Sequence, residues 1–351
     1  MDRNIRQGIK FLFVAMHILP PVGGAERSML TLMYELRRLG HTVNHIDINN
    51  YDKELEKTAR YHDVIITQLQ WTPSAVALAE KYNKPCMVLY RSLEPVCRVV
   101  HDKNLSYLQA TCGQKCKTCP HKITGYEKDG LALHKADMII GNSKWTAGWL
   151  AEEHGHSPDK LGWMYPAIDM SFLAEENKKK EFISMSMWTY PAGTDVFADI
   201  ARLMPTENFR IYGYTHNLPS YPQYTLPKNV EFIENAPQEE MFGATKLWLF
   251  PYRTVPNFGR VVIEAQEAGI PVVGIKAGAI VEDNMIIDNV TGYHVDGHDP
   301  KKWVKYVKKA LSNLPQLKEN ISKEDFSKFK KQENTERFIK YTTQVLNKKR
   351  N

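Results

Sequence analysis

Short apolar runs of strand length alternate along the chain with amphipathic stretches of helical period. In the first half of the sequence these runs lie at 10–15, 42–46, 64–66, 86–90 and 138–140. Most of them are apolar at every position, which is typical of strands buried on both faces of a sheet. Because the runs alternate with helical stretches, the first half is predicted to form a parallel α/β sheet covered by helices on both sides.

The same pattern restarts after a polar break at 175–181. Further apolar runs lie at 182–185, 209–212, 230–233, 247–250 and 271–275. A length of 351 residues also suits two domains better than one. We therefore predict two doubly wound Rossmann-like domains, at 1–172 and 173–332. A final helix at 333–351 is expected to pack back on the N-terminal domain.

Glycines mark two junctions between a strand and a helix. Gly23 and Gly24 follow the first strand, where free backbone amides at the start of the next helix attract phosphate. Gly259 opens a later helix, and Glu264 lies about one and a half turns inside it. Its carboxylate is a candidate acceptor for the hydroxyls of a ribose. Each feature also has a structural explanation, since tight turns need glycine and helices often expose glutamate.

The two junctions, followed by the run Gly-Ile-Pro-Val-Val at 269–273, closely resemble the retaining GT-B glycosyltransferases of family 4, the glycosyl transferases group 1. That family has a Gly-Gly-x-Glu loop near its start and a Glu-x7-Glu motif near its end. Further matches lie in the expected order at 142–143, 165–169 and 288–295. The resemblance implies two domains facing a cleft, a nucleotide-sugar donor on the C-terminal domain, most commonly a UDP-sugar, and metal-independent transfer with retention of configuration.

The same resemblance implies roles for individual residues. Glu264 stands where the family binds the nucleotide ribose, and Phe258 and Gly259 match the motif beside it. Gly23 and Gly24 match the N-terminal loop of the family. All five are therefore candidate donor-binding residues.

The chain departs from the family around the sugar. The first motif glutamate, which contacts the donor sugar, falls on Pro256, so Asn257 is the residue expected to offer an amide to the sugar. The family histidine after the fourth strand is absent, and Arg91 lies near its place. His17, after the first strand, is a candidate polar wall of the acceptor site, although a lone histidine there also fits a structural role. Together with Glu264, these residues are the catalytic candidates.

A further departure concerns the diphosphate. The family clamps it with an arginine and a lysine, whose positions hold Met187 and Ala192 in this chain. The leaving diphosphate develops negative charge that needs positive partners. Arg253 and Arg260, on either side of the motif's start, are the nearest replacements, because arginine suits paired contacts with phosphate. The alternative for Arg260 is a solvent-facing helical residue.

Four of the five cysteines lie close together, at Cys97, Cys112, Cys116 and Cys119. Clustered thiols in a protein expected to be cytosolic favour metal binding over disulfides. Four thiolates close a tetrahedral zinc site, which would staple the insertion at 97–121 and leave no open position for catalysis. Some family members carry a similar cysteine-rich insertion. Unliganded thiols and an iron–sulfur cluster are the alternatives.

The net charge of +6 weakly favours anionic partners such as nucleotides, phospholipid surfaces or nucleic acid. Lysines cluster at 300–309 and at the C-terminus, where a solvated helix face explains most such runs. No apolar run reaches the roughly 18–20 residues that span a bilayer, and the start of the sequence lacks a signal-peptide cleavage site. We therefore expect a cytoplasmic protein, with peripheral membrane contact left open.

Three functions compete on these observations. The first is a glycosyltransferase that moves a sugar from a nucleotide-diphosphate donor to a hydroxyl of a saccharide or glycolipid. The second is a phage-type DNA glycosyltransferase acting on hydroxylated bases, because the basic excess and the basic residues of the cysteine insertion would suit a phosphate backbone. The third is a non-catalytic nucleotide- or glycan-binding protein, which the missing clamp residues favour.

Overall fold

The computed structural model describes residues 8–15, 24–47, 53–68, 71–91, 118, 132–168, 180–187, 190–213 and 226–350. These residues form two compact units. The described residues before 169 join residues 327–350 in the first unit, and residues from 180 to 326 supply the second. Each unit contains a parallel sheet flanked by helices, which confirms the α/β class that the hydrophobic pattern predicts.

The first unit is built on a six-stranded parallel sheet in the order β2-β1-β3-β4-β5-β6. Its strands are β1 Lys10–Ala15, β2 Thr42–Asp47, β3 Val64–Gln68, β4 Cys86–Tyr90, β5 Met138–Gly141 and β6 Leu161–Trp163. Between them lie the helices α1 Gly24–Arg38, α2 Lys53–Thr58, α3 Thr72–Lys81 and α4 Lys144–His154. Strands β1, β3 and β4 are buried over nearly their whole length. This double-sided burial explains why they appear in the sequence as continuous apolar runs.

Helix α4 shows how the sequence sets the ends of a helix. The hydroxyl of Ser143 accepts a hydrogen bond from the backbone N–H of Thr146 at 3.1 Å, which satisfies one of the free amides of the first turn. Gly155 ends the helix in the left-handed conformation, with φ of 70°. Ser143 therefore caps the start of α4, and Gly155 caps its end.

The second unit is built on another six-stranded parallel sheet, in the order β12-β11-β10-β7-β8-β9. Its strands are β7 Phe182–Ser186, β8 Phe209–Gly213, β9 Val230–Glu234, β10 Thr245–Phe250, β11 Val272–Ile275 and β12 Gly292–Val295. Its helices are α5 Thr194–Leu203, α6 Gln238–Ala244, α7 Arg260–Glu267, α8 Ala279–Glu282, α9 Pro300–Ser312 and α10 Leu314–Ser322. The order of the strands reverses between the neighbours β10 and β7. From β7 the sheet continues to β8 and β9 on one side, and from β10 it continues to β11 and β12 on the other.

The C-terminal helix α11 (Lys331–Arg350) returns to the first unit. Phe338 and Val345 are buried in the same apolar cluster as strands β1, β3 and β4. Tyr341 lies against Gly162, where an added Cβ would come within 2.8 Å of the phenol ring. The Tyr341 hydroxyl also bonds the backbone N–H and C=O of Trp163, at 3.2 and 3.3 Å. Close packing on a glycine thus fixes where the helix docks on β6.

Among the described residues, no helix combines the length and the apolar character needed to cross a membrane.

Candidate functional site

The loops at the carboxyl ends of β7 and β10 meet in the second unit. Ligands of doubly wound sheets bind beyond these ends, where the strand order reverses. Gly193, with φ of 80°, is the N-cap of helix α5, and an added Cβ would lie 2.0 Å from the carbonyl oxygen of Pro251. Glycine is therefore required for the β7–α5 loop to approach the β10 loop this closely.

The two positions where the resemblance expects clamp cations lie in this β7–α5 loop. Met187 is half exposed and has φ of 72°, an uncommon conformation for a residue with a side chain. The Tyr252 hydroxyl donates to its sulfur at 3.1 Å. Ala192 is buried at 1% exposure, so a lysine there would have no room without a shift of its neighbours. The loop therefore brings neither cation of the family clamp to this edge.

Arg253 forms an ion pair across the two loops. Its Nε donates to Asp195 Oδ1 at 3.0 Å, and its Nη2 donates to Asp195 Oδ2. The two side chains are 12% and 14% exposed. The backbone N–H of Arg253 also donates to the Pro191 carbonyl at 2.9 Å. Because the guanidinium is held by both carboxylate oxygens, its charge is balanced within the protein, and the pair ties the β10 loop to the first turn of α5.

His298, in the loop after β12, completes this cluster. A ring nitrogen, Nε2, lies 3.0 Å from the carbonyl oxygen of Tyr252. Burial lowers the pKa of His298, the hydrogen bond to Tyr252 opposes that change, and the nearby Arg253 and Asp195 act in opposite directions. Neither His298 nor Asp195 stands out in the sequence, since each gains its partner only when three strand ends come together.

Glu264 and Arg260 form a second ion pair, one turn apart on helix α7. Arg260 Nε donates to Glu264 Oε1 at 2.6 Å. The Glu264 residue is only 3% exposed, and the Arg260 side chain 14%. Glu264 is therefore not an exposed helical glutamate, and Arg260 does not face the solvent. Glu264 Oε2 has no hydrogen-bond partner among the described residues.

Tight packing sets the start of helix α7. An added Cβ on Gly259 would come within 2.7 Å of Ile280 Cδ1, so only glycine fits there without a shift. The Gly259 carbonyl accepts from the N–H of Val262 at 2.9 Å and begins the helix. Gly278, with φ of 52°, lies against the Pro256 carbonyl in the same way. The loop before α7 is thus held against α8, while Phe258 stays half-buried beside it.

Asn257 lies in this loop and is 7% exposed. Both polar atoms of its side chain, Oδ1 and Nδ2, are shielded from solvent and have no hydrogen-bond partner within the described part of the chain. An unpaired buried amide costs about 1–3 kcal/mol. Buried polar groups in native proteins nearly always have partners, so an exception points to a ligand or water.

The first unit brings Arg91 and Asn142 together at the ends of β4 and β5. Arg91 Nη1 donates to Asn142 Oδ1 at 3.4 Å, and Asn142 Nδ2 donates to the Arg91 carbonyl at 3.3 Å. Gly24 is the first residue of α1, and its carbonyl accepts from the Ser28 hydroxyl at 2.6 Å. Gly24 therefore stands at the helix start, as the motif implies.

Several predicted site residues lie outside the described residues: Gly23, His17, Cys97, Cys112, Cys116 and Cys119. The zinc site therefore stays a prediction. Elsewhere in the described ranges no group of three or more histidine, cysteine or acidic side chains is arranged to hold a metal. The fifth cysteine, Cys86, is buried in β4, and burial raises the pKa of its thiol. It is consequently a structural cysteine.

The sequence matches one family model, described as glycosyl transferases group 1, over residues 173–328. A protein encoded in the cps region of Klebsiella pneumoniae is 23% identical over 322 residues, with 77% of this chain and 85% of that protein aligned. The D-inositol 3-phosphate glycosyltransferase of Salinispora arenicola is 42% identical over 228 residues. That alignment covers 54% of this chain and 50% of the relative, so the chain spans about half the length of such relatives.

Solved structures share the fold. Anabaena HepE in complex with UDP and glucose has a TM-score of 0.72 at 13% identity, covering 96% of this chain and 100% of that one. A glycosyltransferase from Rickettsia africae has a TM-score of 0.70 at 14% identity, covering 97% and 99%. The catalytic domain of starch synthase IV from Arabidopsis thaliana, bound to ADP and acarbose, has a TM-score of 0.67 at 11% identity, covering 97% and 100%.

The family match begins where the second domain is predicted to begin, and it includes both arginine–carboxylate pairs and Asn257. The two parallel six-stranded sheets agree with the architecture of the solved structures. The chain therefore has the GT-B fold, and its residues 173–328 match the glycosyl transferases group 1 family model.

Proposed function

We propose that the protein transfers a sugar from a nucleoside diphosphate, a UDP-sugar in the first instance, to a hydroxyl of a saccharide or glycolipid, with retention of configuration and without a catalytic metal. The family match and the neighbours bound to UDP or ADP support a nucleotide-sugar donor. The observation that carries the proposal is the buried Glu264, whose carboxylate keeps one acceptor oxygen without a partner among the described residues.

Glu264 is suited to bind the ribose of the donor. Arg260 bonds one carboxylate oxygen and so restricts the rotation of the group. The hydroxyls of a ribose would donate to the other oxygen, Oε2. Hydrogen bonds to a charged acceptor are about twice as strong as neutral ones, and shielding from water strengthens them further. A buried and oriented carboxylate therefore suits recognition of a diol.

Arg260 is the cation that we assign to the diphosphate. It is the first residue of α7, the end of the helix where free backbone N–H groups and the helix dipole also favour an anion. The leaving diphosphate gains negative charge in the transition state, and a cation fixed beforehand stabilises that charge. Arg253, bonded to both oxygens of Asp195, is assigned a positioning role instead.

Asn257 is assigned to the donor sugar. Its carboxamide has both a donor and an acceptor without a partner among the described residues, and it lies two residues before Gly259. Sugar hydroxyls supply the complementary acceptor and donor. The chemistry then rests on position and charge: the bond between the anomeric carbon and the diphosphate oxygen breaks, and the acceptor oxygen bonds to the same face of the sugar. The departing nucleoside diphosphate takes the proton of the acceptor hydroxyl.

Arg91 and Asn142 would line the acceptor side, together with His17 and the Gly23–Gly24 loop. Their mutual hydrogen bonds place polar groups beyond the strands β4 and β5 of the first sheet, where ligands of such sheets bind. The zinc that we propose for the four clustered cysteines would be structural. Metal analysis should then find about one equivalent of zinc, and Cys116→Ser should lower thermal stability.

Release of nucleotide from UDP- and GDP-sugars tests the proposed reaction without an acceptor in hand. We expect slow release of UDP from a UDP-sugar, faster when an oligosaccharide or glycolipid acceptor is present. Nucleotide binding without release or transfer would instead indicate a non-catalytic binding protein. The departures at Met187 and Ala192 make that outcome the specific alternative.

A further inference from the structure

Helix α9 differs from its neighbours in its charge. Five of its thirteen residues are lysines, and it contains no acidic residue. Its core-facing side consists of three residues: Trp303, Val307 and Ala310. The lysines therefore lie on the remaining surface of the helix, outside the buried face.

Four of these lysines form a ridge on the exposed side. At 3.6 residues per turn, Lys301, Lys305 and Lys308 point directly away from the buried face, and Lys302 lies beside them. All four are exposed. We call Lys301, Lys302, Lys305 and Lys308 the lysine ridge. The fifth, Lys309, turns aside and donates to the Asn289 side chain at 2.8 Å.

The ridge is not neutralised. None of its four ammonium groups has a carboxylate partner in the described part of the chain. The two helices that follow α9 carry basic residues with acidic partners. Lys323 pairs with Glu319 on α10 at 2.6 Å, and Arg337 pairs with Glu333 on α11 at 3.4 Å. A solvated helix face usually mixes both signs of charge, as those helices do. The lysine ridge is therefore a concentrated positive surface.

A groove that combines aliphatic and polar residues borders the ridge. It has a volume of about 390 Å³ and is lined by Leu203, Pro205, Lys308 and Leu311, among others. Leu203 is 46% exposed, which is unusual for a leucine. The acid in the groove wall, Glu207, is already paired with Lys246 at 2.6 Å. Positive charge and exposed aliphatic surface thus adjoin on one side of the second unit.

We propose that the lysine ridge and its groove dock the protein on an anionic lipid bilayer. Lysines attract the phosphates of acidic headgroups, and an exposed leucine enters the boundary between headgroups and acyl chains. Helix α9 contains no arginine, the residue that grips nucleic-acid phosphates and bases in pairs. None of these residues belongs to the proposed donor site, and the inference does not depend on the proposed reaction.

Co-sedimentation of the full chain with phosphatidylcholine vesicles, with and without phosphatidylglycerol, tests the docking surface. The chain should sediment only with the anionic vesicles and should be released by salt. Replacing the ridge by Lys301→Gln, Lys302→Gln, Lys305→Gln and Lys308→Gln together should weaken binding by about two orders of magnitude or more, since each lysine near such a surface contributes roughly fivefold and the contributions multiply. Leu203→Ser should weaken binding less and leave the salt dependence unchanged.

A matched control removes four exposed lysines elsewhere: Lys228→Gln, Lys323→Gln, Lys340→Gln and Lys349→Gln. It has the same net charge as the ridge variant and should bind within about twofold of the parent. Equal losses in both variants, or no sedimentation of the parent with anionic vesicles, would overturn the proposal. Tighter binding to duplex DNA than to vesicles, lost in the ridge variant alone, would reassign the surface to nucleic acid.

Discussion

Two arginine–carboxylate pairs lie at the carboxyl edge of the second sheet. They differ in the sequence separation of their partners and in the number of carboxylate oxygens that the arginine bonds. The Arg253–Asp195 pair joins segments 58 residues apart and uses both carboxylate oxygens. The Arg260–Glu264 pair stays within one helix and uses only Oε1. Glu264 is nevertheless the more buried acid, at 4% side-chain exposure against 14% for Asp195.

The difference separates a scaffold from a ligand site. In the Arg253–Asp195 pair both carboxylate oxygens are bonded, so the pair holds its two loops together and its carboxylate has little remaining hydrogen-bonding capacity for a ligand. A largely buried carboxylate that accepts from its arginine through only one oxygen keeps a charged acceptor that a ligand can use. The two pairs look alike in the sequence as arginines near a motif, but their geometry supports different proposed roles, a scaffold for Arg253–Asp195 and a ligand site for Arg260–Glu264.

The largest expected effect is on nucleotide affinity at Glu264. Glu264→Gln keeps the size of the side chain and removes its charge, so the ribose loses a charged acceptor. We expect UDP to bind roughly 30- to 150-fold more weakly, equivalent to about 2–3 kcal/mol. Isothermal titration calorimetry measures this directly. Asp195→Asn is the matched control at the other pair, and its UDP affinity should stay within about threefold of the parent.

The second largest expected effect is on the free energy of unfolding, and it should appear at the Arg253–Asp195 pair. Asp195→Asn leaves a partly buried guanidinium without its carboxylate, which should lower the free energy of unfolding by about 1–3 kcal/mol. Urea unfolding followed by circular dichroism measures the change. If Glu264→Gln destabilised the protein more than Asp195→Asn, the division between scaffold and ligand pair would be wrong.

A third effect tests the sugar contact beside the ligand pair. Asn257→Leu replaces an unsatisfied amide by an apolar side chain of similar shape, so stability should stay unchanged or rise by about 1 kcal/mol. The specificity constant for the donor sugar should nevertheless fall roughly tenfold, because the sugar hydroxyls lose their partner. UDP alone should bind as before. A loss of UDP affinity equal to the loss in turnover would place Asn257 on the nucleotide instead.

A smaller effect distinguishes the two arginines. Arg260→Lys keeps the charge but loses the fork that contacts phosphate and carboxylate together. We expect UDP affinity to fall by roughly fivefold with little change in the unfolding midpoint. Arg253→Lys should show the reverse pattern, with weaker stability and nearly unchanged UDP affinity. Titration of both variants with UDP and with uridine shows whether the lost affinity comes from the diphosphate.

The smallest effect is a pH dependence of the scaffold cluster. Burial holds the pKa of His298 below its ordinary value of 6.5. As the pH falls below about 6.5, the unfolded chain takes up a proton that folded His298 resists, so stability decreases. His298→Asn should reduce the slope of unfolding temperature against pH between 7 and 5 without removing it, because His41 and His294 also have lowered pKa values. An unchanged slope would contradict the role of His298.

The regular parts of the fold are predictable from the sequence because their signals are local. A run such as Cys86–Tyr90 carries its own strand pattern, and Ser143 and Gly155 mark the ends of α4. The position of Glu264 also follows from a motif of fixed spacing. The burial of that carboxylate does not follow, because it depends on how α7 packs in the second unit.

The missed features are those that join distant segments. Asp195 becomes part of the site only because Gly193 allows its loop to approach Pro251, and His298 joins from a third strand end. The sequence points to Arg253 as a replacement for the missing cations of the diphosphate clamp. The structure instead places it in a saturated pair, since its partner lies 58 residues away and has no local signal.

A crystal structure of the protein with UDP bound would test the central distinction most directly. The ribose hydroxyls should lie within about 3 Å of Glu264 Oε2, with Arg260 turned toward the diphosphate and Arg253 still bonded to both oxygens of Asp195. A nucleotide whose ribose lies away from Glu264, or whose diphosphate has drawn Arg253 off Asp195, would contradict it.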